Sequence, residues 1–294
     1  MKLAALQMTS GPDVAANLEQ ARALLEEAAA LGARLAALPE NFSFMGLKDA
    51  DKRAVAEADG SGPVQEFLGS TARRLGLWIV GGTVPLRAGA DGRVAAASLV
   101  YDADGRRVGR YDKIHLFDVD LDGTTFRESA TMAPGDELVV SHLEPDPTGD
   151  LPATVVGLSI CYDLRFPEPY RILALRGATV LVVPAAFTAA TGPAHWELLL
   201  RARAVENEAF VIGAGQVGDL PPGMPACHGH TLVVDPWGTV IAERTEPTPG
   251  FVLAELDMSR VERVRSELPV LAHRRPEAYR WPDDDVRGTF GGGG

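Results

Sequence analysis

The chain is short of cysteine, of positive charge and of long hydrophobic runs, and each shortage excludes a class of protein. Two cysteines in 294 residues cannot build the disulfide framework of a small secreted domain. No apolar run approaches the roughly 20 residues of a membrane span, and the apolar start at 1–7 is too short for a signal peptide. Acidic residues outnumber basic ones by 40 to 28, and the net charge of -12 argues against a nucleic acid or an anionic membrane as partner. We therefore expect a soluble, cytoplasmic protein.

Apolar stretches of two kinds alternate along the chain. Short runs such as residues 178–183 have the length of buried strands, whereas residues 14–31 and 193–208 repeat apolar side chains with the period of a helix. Strands and helices mixed in this way predict an α/β fold. The second half repeats the order of the first, and no linker separates the two. We therefore expect one domain over residues 1–282, followed by a flexible tail at 283–294.

A cysteine marks the junction of a strand and a helix in the second half. Residues 154–160 form an apolar run that ends at Cys161, and Pro167 suits the first turn of a helix. Such a junction projects a side chain at the open end of a sheet and directs backbone N–H groups towards its target. Cys161 is therefore either a thiol nucleophile or, like most free cysteines, a small buried hydrophobic residue. The residue alone leaves both interpretations open, because thiolate reactivity requires an activating environment.

A glutamate follows a strand in the first half. Residues 34–38 form a short apolar strand that Pro39 closes, and Glu40 comes next, at the carboxyl end, where open α/β sheets place their chemistry. The nearby Phe42, Phe44 and Met45 are apolar, and a carboxylate among such residues tends to have a raised pKa, which suits a general base. The alternative is a solvated loop glutamate, as most glutamates are.

A lysine follows a third strand. The Asp-Ala-Asp-Gly turn at 102–105 predicts a hairpin, whose returning strand ends just before Lys113. Lysines are usually solvated, but this one lies in an apolar, aromatic stretch near Asp112 and His115, where a buried ammonium needs a carboxylate partner. A carboxylate, an ammonium and a thiol at three strand ends can take a proton, stabilise an oxyanion and attack a carbonyl.

Three motifs of the chain resemble those of the nitrilase superfamily, the carbon–nitrogen hydrolases. They are Leu-Pro-Glu-Asn at 38–41, Tyr-Asp-Lys-Ile-His-Leu-Phe at 111–117 and Cys-Tyr-Asp-Leu-Arg-Phe-Pro-Glu at 161–168, in the family's order. Residues 191–197 and 228–238 are similar to the amidase branch that contains the deaminated glutathione amidases and the omega-amidases. The resemblance implies a four-layer α-β-β-α sandwich, commonly a homodimer, that uses no metal or organic cofactor.

The resemblance also implies roles for individual residues. Glu40 would be the general base, Cys161 the nucleophile, Lys113 and the backbone N–H of Tyr162 the oxyanion donors, and Glu128 a second glutamate that orients the site. The thiolate would attack an amide, release the amine and leave a thioester for water to hydrolyse. Nothing in the local sequence singles out Glu128, because it lies in a polar stretch, 118–137, that we expect to be a long functional loop.

The expected substrate is a small amide that carries a carboxylate. We expect Arg165, Phe44 and Phe187 to face it, with the guanidinium paired to the substrate carboxylate; a structural ion pair is the alternative for Arg165. Deaminated glutathione and omega-amides of 2-oxo acids both remain open, because the motif signals for the two conflict. Transfer of the acyl group to an amine instead of water also remains open. The alternatives within the fold are an N-carbamoyl or aliphatic amide hydrolase, a nitrilase, and a non-catalytic interaction protein.

Two further interpretations use other side chains. His228 and His230 could belong to a metal-dependent hydrolase, but the sequence offers no third ligand beside them. Cys161 and Cys227 could form a redox pair, but they lack the close spacing of a Cys-x-x-Cys motif. Neither interpretation accounts for the three motifs.

Overall fold

The computed structural model describes residues 1–89, 91–121, 123–218 and 226–279, so the predicted tail at 283–294 lies outside the described residues. Within these ranges the α-helices are α1 (Val14–Ala30), α2 (Lys52–Val55), α3 (Pro63–Leu75), α4 (Pro167–Leu175), α5 (Gly192–Asn207) and α6 (Ser259–Glu267). The strands are β1 (Lys2–Gln7), β2 (Leu35–Ala37), β3 (Trp78–Val80), β4 (Val84–Ala88), β5 (Arg93–Tyr101), β6 (Arg107–Asp112), β7 (Asp118–Leu121), β8 (Thr124–Arg127), β9 (Val140–Leu143), β10 (Thr154–Leu158), β11 (Val180–Ala185), β12 (Phe210–Gly215), β13 (Val217–Gly218), β14 (Cys227–His228), β15 (Thr231–Val234), β16 (Val240–Arg244) and β17 (Gly250–Glu255). None of the described helices is both long enough and apolar enough to span a membrane.

Most strands belong to two sheets. The first has the order β17-β1-β2-β3-β5-β4, with β6 paired to β5, and the second has the order β16-β15-β12-β11-β10-β9. Strands β1, β2 and β3 run parallel to one another, as do β10, β11 and β12, and the outer strands are antiparallel. The parallel strands of each sheet therefore direct their carboxyl ends, and the residues that follow them, to one edge.

Alternate residues of β1 show how the layers are built. Leu3 and Ala5 belong to a core that contains side chains of both sheets, whereas Ala4 and Leu6 pack with side chains of α1 and α3. Successive strand residues point to opposite faces, so a strand covered on both faces must be apolar throughout. On the second sheet α4 and α5 supply the outer layer, for example with Trp196. The predicted four-layer α-β-β-α sandwich is confirmed.

The polar stretch 118–137 is not a loop throughout. Strands β7 and β8 form an antiparallel hairpin in which Asp118 pairs with Arg127, and the 3₁₀ turn Glu128–Ala130 follows directly. The hairpin was not predicted, although β7 alternates polar and apolar residues, because each strand has only four residues and so short an alternation inside a polar stretch is a weak signal. The hairpin therefore determines the position of Glu128, the first residue of this turn.

A glycine lies behind the turn that carries Glu40. Gly82 follows β3 with a φ of +47°, and a Cβ at this position would collide with the carbonyl oxygen of Pro39. Glycine alone combines a left-handed backbone with so close an approach of another chain segment. The break between β3 and β4 therefore accommodates the end of β2 and holds the following turn in place.

Candidate active site

The ends of separate strands bring one lysine and two glutamates into contact. Glu40 follows β2, Lys113 follows β6 and Glu128 begins the turn after β8. Lys113 Nζ lies 2.9 Å from Glu40 Oε1, and 3.0 and 2.9 Å from the two carboxylate oxygens of Glu128. The side chain of Lys113 is 2% exposed, that of Glu40 5% and that of Glu128 8%. The ammonium can be buried here because two carboxylates replace its lost hydration.

The pKa of Glu40 does not rise as predicted from its apolar neighbours. Burial does raise the pKa, but the charge and the hydrogen bond of Lys113 outweigh it, and the pKa lies below its ordinary value of 4.5. The backbone N–H of Ala186 donates to the other carboxylate oxygen at 2.8 Å and acts in the same direction. The prediction was wrong because a buried cation, distant in sequence, acts on this carboxylate more strongly than its apolar surroundings. Glu40 is therefore ionised at neutral pH and able to accept a proton.

Cys161 lies at the strand end predicted for it. It follows β10 as the first residue of the 3₁₀ turn Cys161–Arg165 and has a φ of +45°. Such a left-handed backbone costs a non-glycine residue about 1–3 kcal/mol and is often found at functional sites. Burial and then the charge of Glu40 raise the pKa of the thiol well above its ordinary value of 9.0, although Lys113 acts in the opposite direction. The resting thiol is protonated, so its attack on a carbonyl needs a base.

A buried aspartate joins the cysteine turn to the strand end that carries Lys113. Asp163 is fully buried; its Oδ2 accepts from Tyr111 Oη at 2.6 Å and from the backbone N–H of Ile160 at 2.8 Å. Its Oδ1 lies 3.1 Å from the backbone nitrogen of His115 and 2.7 Å from Nδ1 of the same residue. These contacts hold two site segments together across about 50 positions of sequence. Asp163 was not predicted as a site residue, although it lies inside the motif at 161–168.

A cavity opens onto these groups. Seven of the predicted site residues line it: Glu40, Lys113, Glu128, Cys161, Tyr162, Arg165 and Phe187. The lining also includes residues that were not predicted from the sequence, among them Met45, Asp49, Lys52, Phe117 and Thr191. Phe117 and Thr191 lie inside stretches that indicated the family, whereas the segment that contains Met45, Asp49 and Lys52 carries no functional signal.

The guanidinium of Arg165 has polar but no acidic partners among the described residues. It donates to Thr191 Oγ1 at 3.1 Å and lies 3.2 Å from His195 Nδ1. Its Cζ is 5.1 Å from the ring centroid of Phe187. The ion pair considered as the alternative for Arg165 is therefore not present in the part of the chain that is described.

Phe44 does not line this cavity, contrary to the prediction. It is buried and lines a separate cavity with residues of the segment 54–64, while the next residue, Met45, faces the candidate site. The turn begins at Asn41, which has a φ of +58°. A left-handed residue changes the direction of the chain. The sequence therefore could not predict whether Phe44 or Met45 reaches the site.

The structure also places the residues of the two other interpretations, the metal site and the cysteine redox pair. The ring centroids of His228 and His230 are 5.8 Å apart, and His230 Nε2 lies 2.8 Å from a carboxylate oxygen of Glu243. The described residues contain no group of three or more His, Cys, Asp or Glu side chains that could hold a metal ion. Cys161 and Cys227 are free thiols that line the same cavity. Burial, and to a smaller extent Glu40, raise the pKa of Cys227 to about 12.

Comparisons with known proteins identify the family. The carbon–nitrogen hydrolase family model matches residues 2–266. The deaminated glutathione amidase of Synechocystis sp. is 42% identical over 273 residues, which are 92% of this chain and 97% of that protein. Nit3 of Saccharomyces cerevisiae, a member of branch 10 of the nitrilase superfamily, is 30% identical with a TM-score of 0.81, over 92% of this chain and 94% of its own. A mutant amidase from Nesterenkonia sp. AN1, 28% identical with a TM-score of 0.73 over 92% of this chain and 98% of its own, shows Michael addition of acrylamide at its active-site cysteine.

The chain therefore belongs to the carbon–nitrogen hydrolases of the nitrilase superfamily. The family and the enzyme class predicted from the three motifs are confirmed. The motifs could reveal the family because each is a continuous stretch of sequence, whereas the contacts within the site join residues that are far apart.

Proposed function

We propose that the protein is an amidase in which Cys161 attacks the carbonyl carbon of an amide and Glu40 acts as the general base. The observation that best supports this is that Glu40, Lys113 and Glu128 meet in the cavity that Cys161 lines. Glu40 takes the thiol proton as sulfur adds to the carbonyl, while Lys113 and the backbone N–H of Tyr162 stabilise the negative oxygen. Glu128 keeps the ammonium of Lys113 in position.

The intermediate then collapses with cleavage of the C–N bond. Glu40 returns its proton to the leaving nitrogen, so that the amine departs and a thioester remains on Cys161. Glu40 next removes a proton from water, whose oxygen attacks the thioester carbonyl. The C–S bond breaks, the carboxylic acid is released and the thiolate recovers the proton from Glu40. The lowered pKa of Glu40, where Lys113 outweighs burial, keeps this carboxylate ionised between turnovers.

The substrate that we propose is deaminated glutathione, with omega-amides of 2-oxo acids as the second candidate. The name of the Synechocystis relative supports the first. Either substrate carries a carboxylate on its 2-oxo acid portion, and the guanidinium of Arg165 suits it because it has no acidic partner in the described chain. Thr191 and His195 hold the guanidinium in advance, which reduces the entropy lost on binding.

We also propose that the protein is a cytoplasmic homodimer with one catalytic domain over residues 1–282, and that its partners include neither nucleic acid nor membrane. Exposed apolar side chains on α4 and α5 support a dimer: Ile172, Leu175, Leu198 and Val205. Light scattering should give the mass of a dimer, and Leu198→Asp should lower it towards that of a monomer. A monomeric wild-type protein would contradict the assembly.

Release of 2-oxoglutarate tests the activity directly. Deaminated glutathione and 2-oxoglutaramate give the same acid, so one assay compares them, with Cys161→Ala as the control. Release that depends on Cys161 supports the amidase, and the ratio of the two kcat/KM values selects the substrate. Equal release by Cys161→Ala would exclude the proposed nucleophile. No release from either substrate by the folded wild-type protein would reject both candidates and favour another amide or an N-carbamoyl compound.

A further inference from the structure

A buried lysine that the proposed mechanism does not use lies in the wall of the active-site cavity. Lys52 is the first residue of α2; its side chain is only 8% exposed, and it lines the cavity. Its ammonium makes one hydrogen bond in the described part of the chain, to Asp49 Oδ1 at 3.0 Å. An ammonium has three donors, so two of them have no protein partner there.

Two of the stretches that line the cavity each carry a cation. Residues 40–52 include Lys52, and residues 161–191 include Arg165. In the proposed mechanism Glu40 gives its proton to the leaving nitrogen, so we assign the leaving group to the stretch that carries Glu40 and Lys52. The acyl group, which stays on Cys161, is assigned to the stretch that carries Arg165.

We propose that Lys52 binds a carboxylate on the leaving group, so that the site selects amides with one carboxylate on each side of the scissile C–N bond. This inference rests on the proposed function. Deaminated glutathione has this form, because its acyl group ends in a 2-oxo acid and its leaving group, cysteinylglycine, ends in a glycine carboxylate. The other candidate, 2-oxoglutaramate, releases only ammonia.

Asp49 lines the cavity as well, and its pairing with Lys52 occupies one of the three donors of the ammonium. The Asp49 side chain is 38% exposed and the Lys52 side chain 8%, so water screens the carboxylate more than the ammonium. The charge of Lys52 also reaches the reacting centre. Burial raises the pKa of Glu40, and Lys52 is, after Lys113, one of the charges that lower it.

The test compares deaminated glutathione with its C-terminal carboxamide, which lacks only the glycine carboxylate. The wild-type kcat/KM should favour the acid by about tenfold to a hundredfold, the usual effect of a hydrogen bond between charged groups. In Lys52→Met this ratio should fall to about one, mainly through KM, and Lys52→Arg should restore much of it. The matched control is Lys48→Met, which removes an exposed lysine from the same segment and should keep the wild-type ratio.

Several outcomes would overturn the proposal. A wild-type ratio near one, or the same ratio in Lys52→Met as in wild type, would show that Lys52 does not bind this carboxylate. Hydrolysis of 2-oxoglutaramate but of neither longer substrate would keep the proposed amidase and reject the role of Lys52. If the wild-type protein hydrolyses none of the three compounds, the proposed function itself fails, and this inference fails with it.

Discussion

Replacing Lys113 with methionine leaves two buried carboxylates without their cation. In the wild-type protein the ammonium lies within 3.0 Å of three carboxylate oxygens of Glu40 and Glu128. Methionine approximates the length of lysine but supplies neither charge nor donors. Removing one partner of a buried ion pair costs about 3–5 kcal/mol, because the remaining charge stays desolvated. In a protein of this size we therefore expect Lys113→Met to lower Tm by about 6–20 °C at neutral pH.

The loss of stability in Lys113→Met should depend on pH, and its dependence follows from the direction of the pKa shift of Glu40. Burial raises the pKa of Glu40, but Lys113 outweighs it, so the folded-state value lies below 4.5. A carboxylate of this kind stabilises the fold above its unfolded pKa, and the contribution is lost as pH falls through the folded pKa. Without Lys113, burial remains and moves the folded pKa of Glu40 above the unfolded value. Protonation then stabilises the variant as pH falls, so the difference in stability from wild type should narrow as pH falls from neutrality through the raised folded pKa of the variant.

Calorimetry or urea unfolding across this pH range measures the difference. Lys48→Met is the control, because it removes an exposed lysine and should change Tm little. A Lys113→Met protein as stable as wild type at neutral pH would refute the reasoning. A stability loss that stays constant with pH would refute it equally, because it would show that Glu40 does not titrate as a buried carboxylate without a cation.

Three other substitutions test the remaining parts of the site. Cys161→Ala should abolish release of the acid while Tm stays close to that of wild type; near wild-type turnover would remove Cys161 from the mechanism. Glu128→Gln keeps the side-chain volume but removes one negative charge from Lys113, so kcat should fall by about tenfold or more with a smaller change in KM; an effect confined to KM would contradict a role in positioning Lys113. Tyr111→Phe removes the 2.6 Å hydrogen bond to Asp163 and should lower both kcat and stability, the latter by about 1–3 kcal/mol. Tyr170→Phe loses a buried hydrogen bond to Ser159 instead and is the control, so an equal loss of kcat in both would argue against a positioning role for Asp163.

The elements that could be predicted from the sequence depend on residues a few positions apart. The apolar run before Cys161 forms β10, and the Asp-Ala-Asp-Gly turn at 102–105 joins β5 to β6 as expected. Strand length, helical period and turn preference are local properties. The hairpin of β7 and β8 was not predicted because each strand has only four residues, too few for the alternation in β7 to stand out from the polar stretch around it.

The contacts that complete the site join distant parts of the chain. Glu40 and Lys113 are 73 positions apart, and Glu40 and Ala186 are 146 apart. Apolar neighbours suggested a raised pKa for Glu40, but the fold brings Lys113 against it and reverses the direction of the shift. The type of each functional group is a property of the linear chain. Its charge state and its partners are properties of the fold, because the energy of a buried ion depends on its desolvation and on its distance to other charges, and both are defined only when the chain has folded.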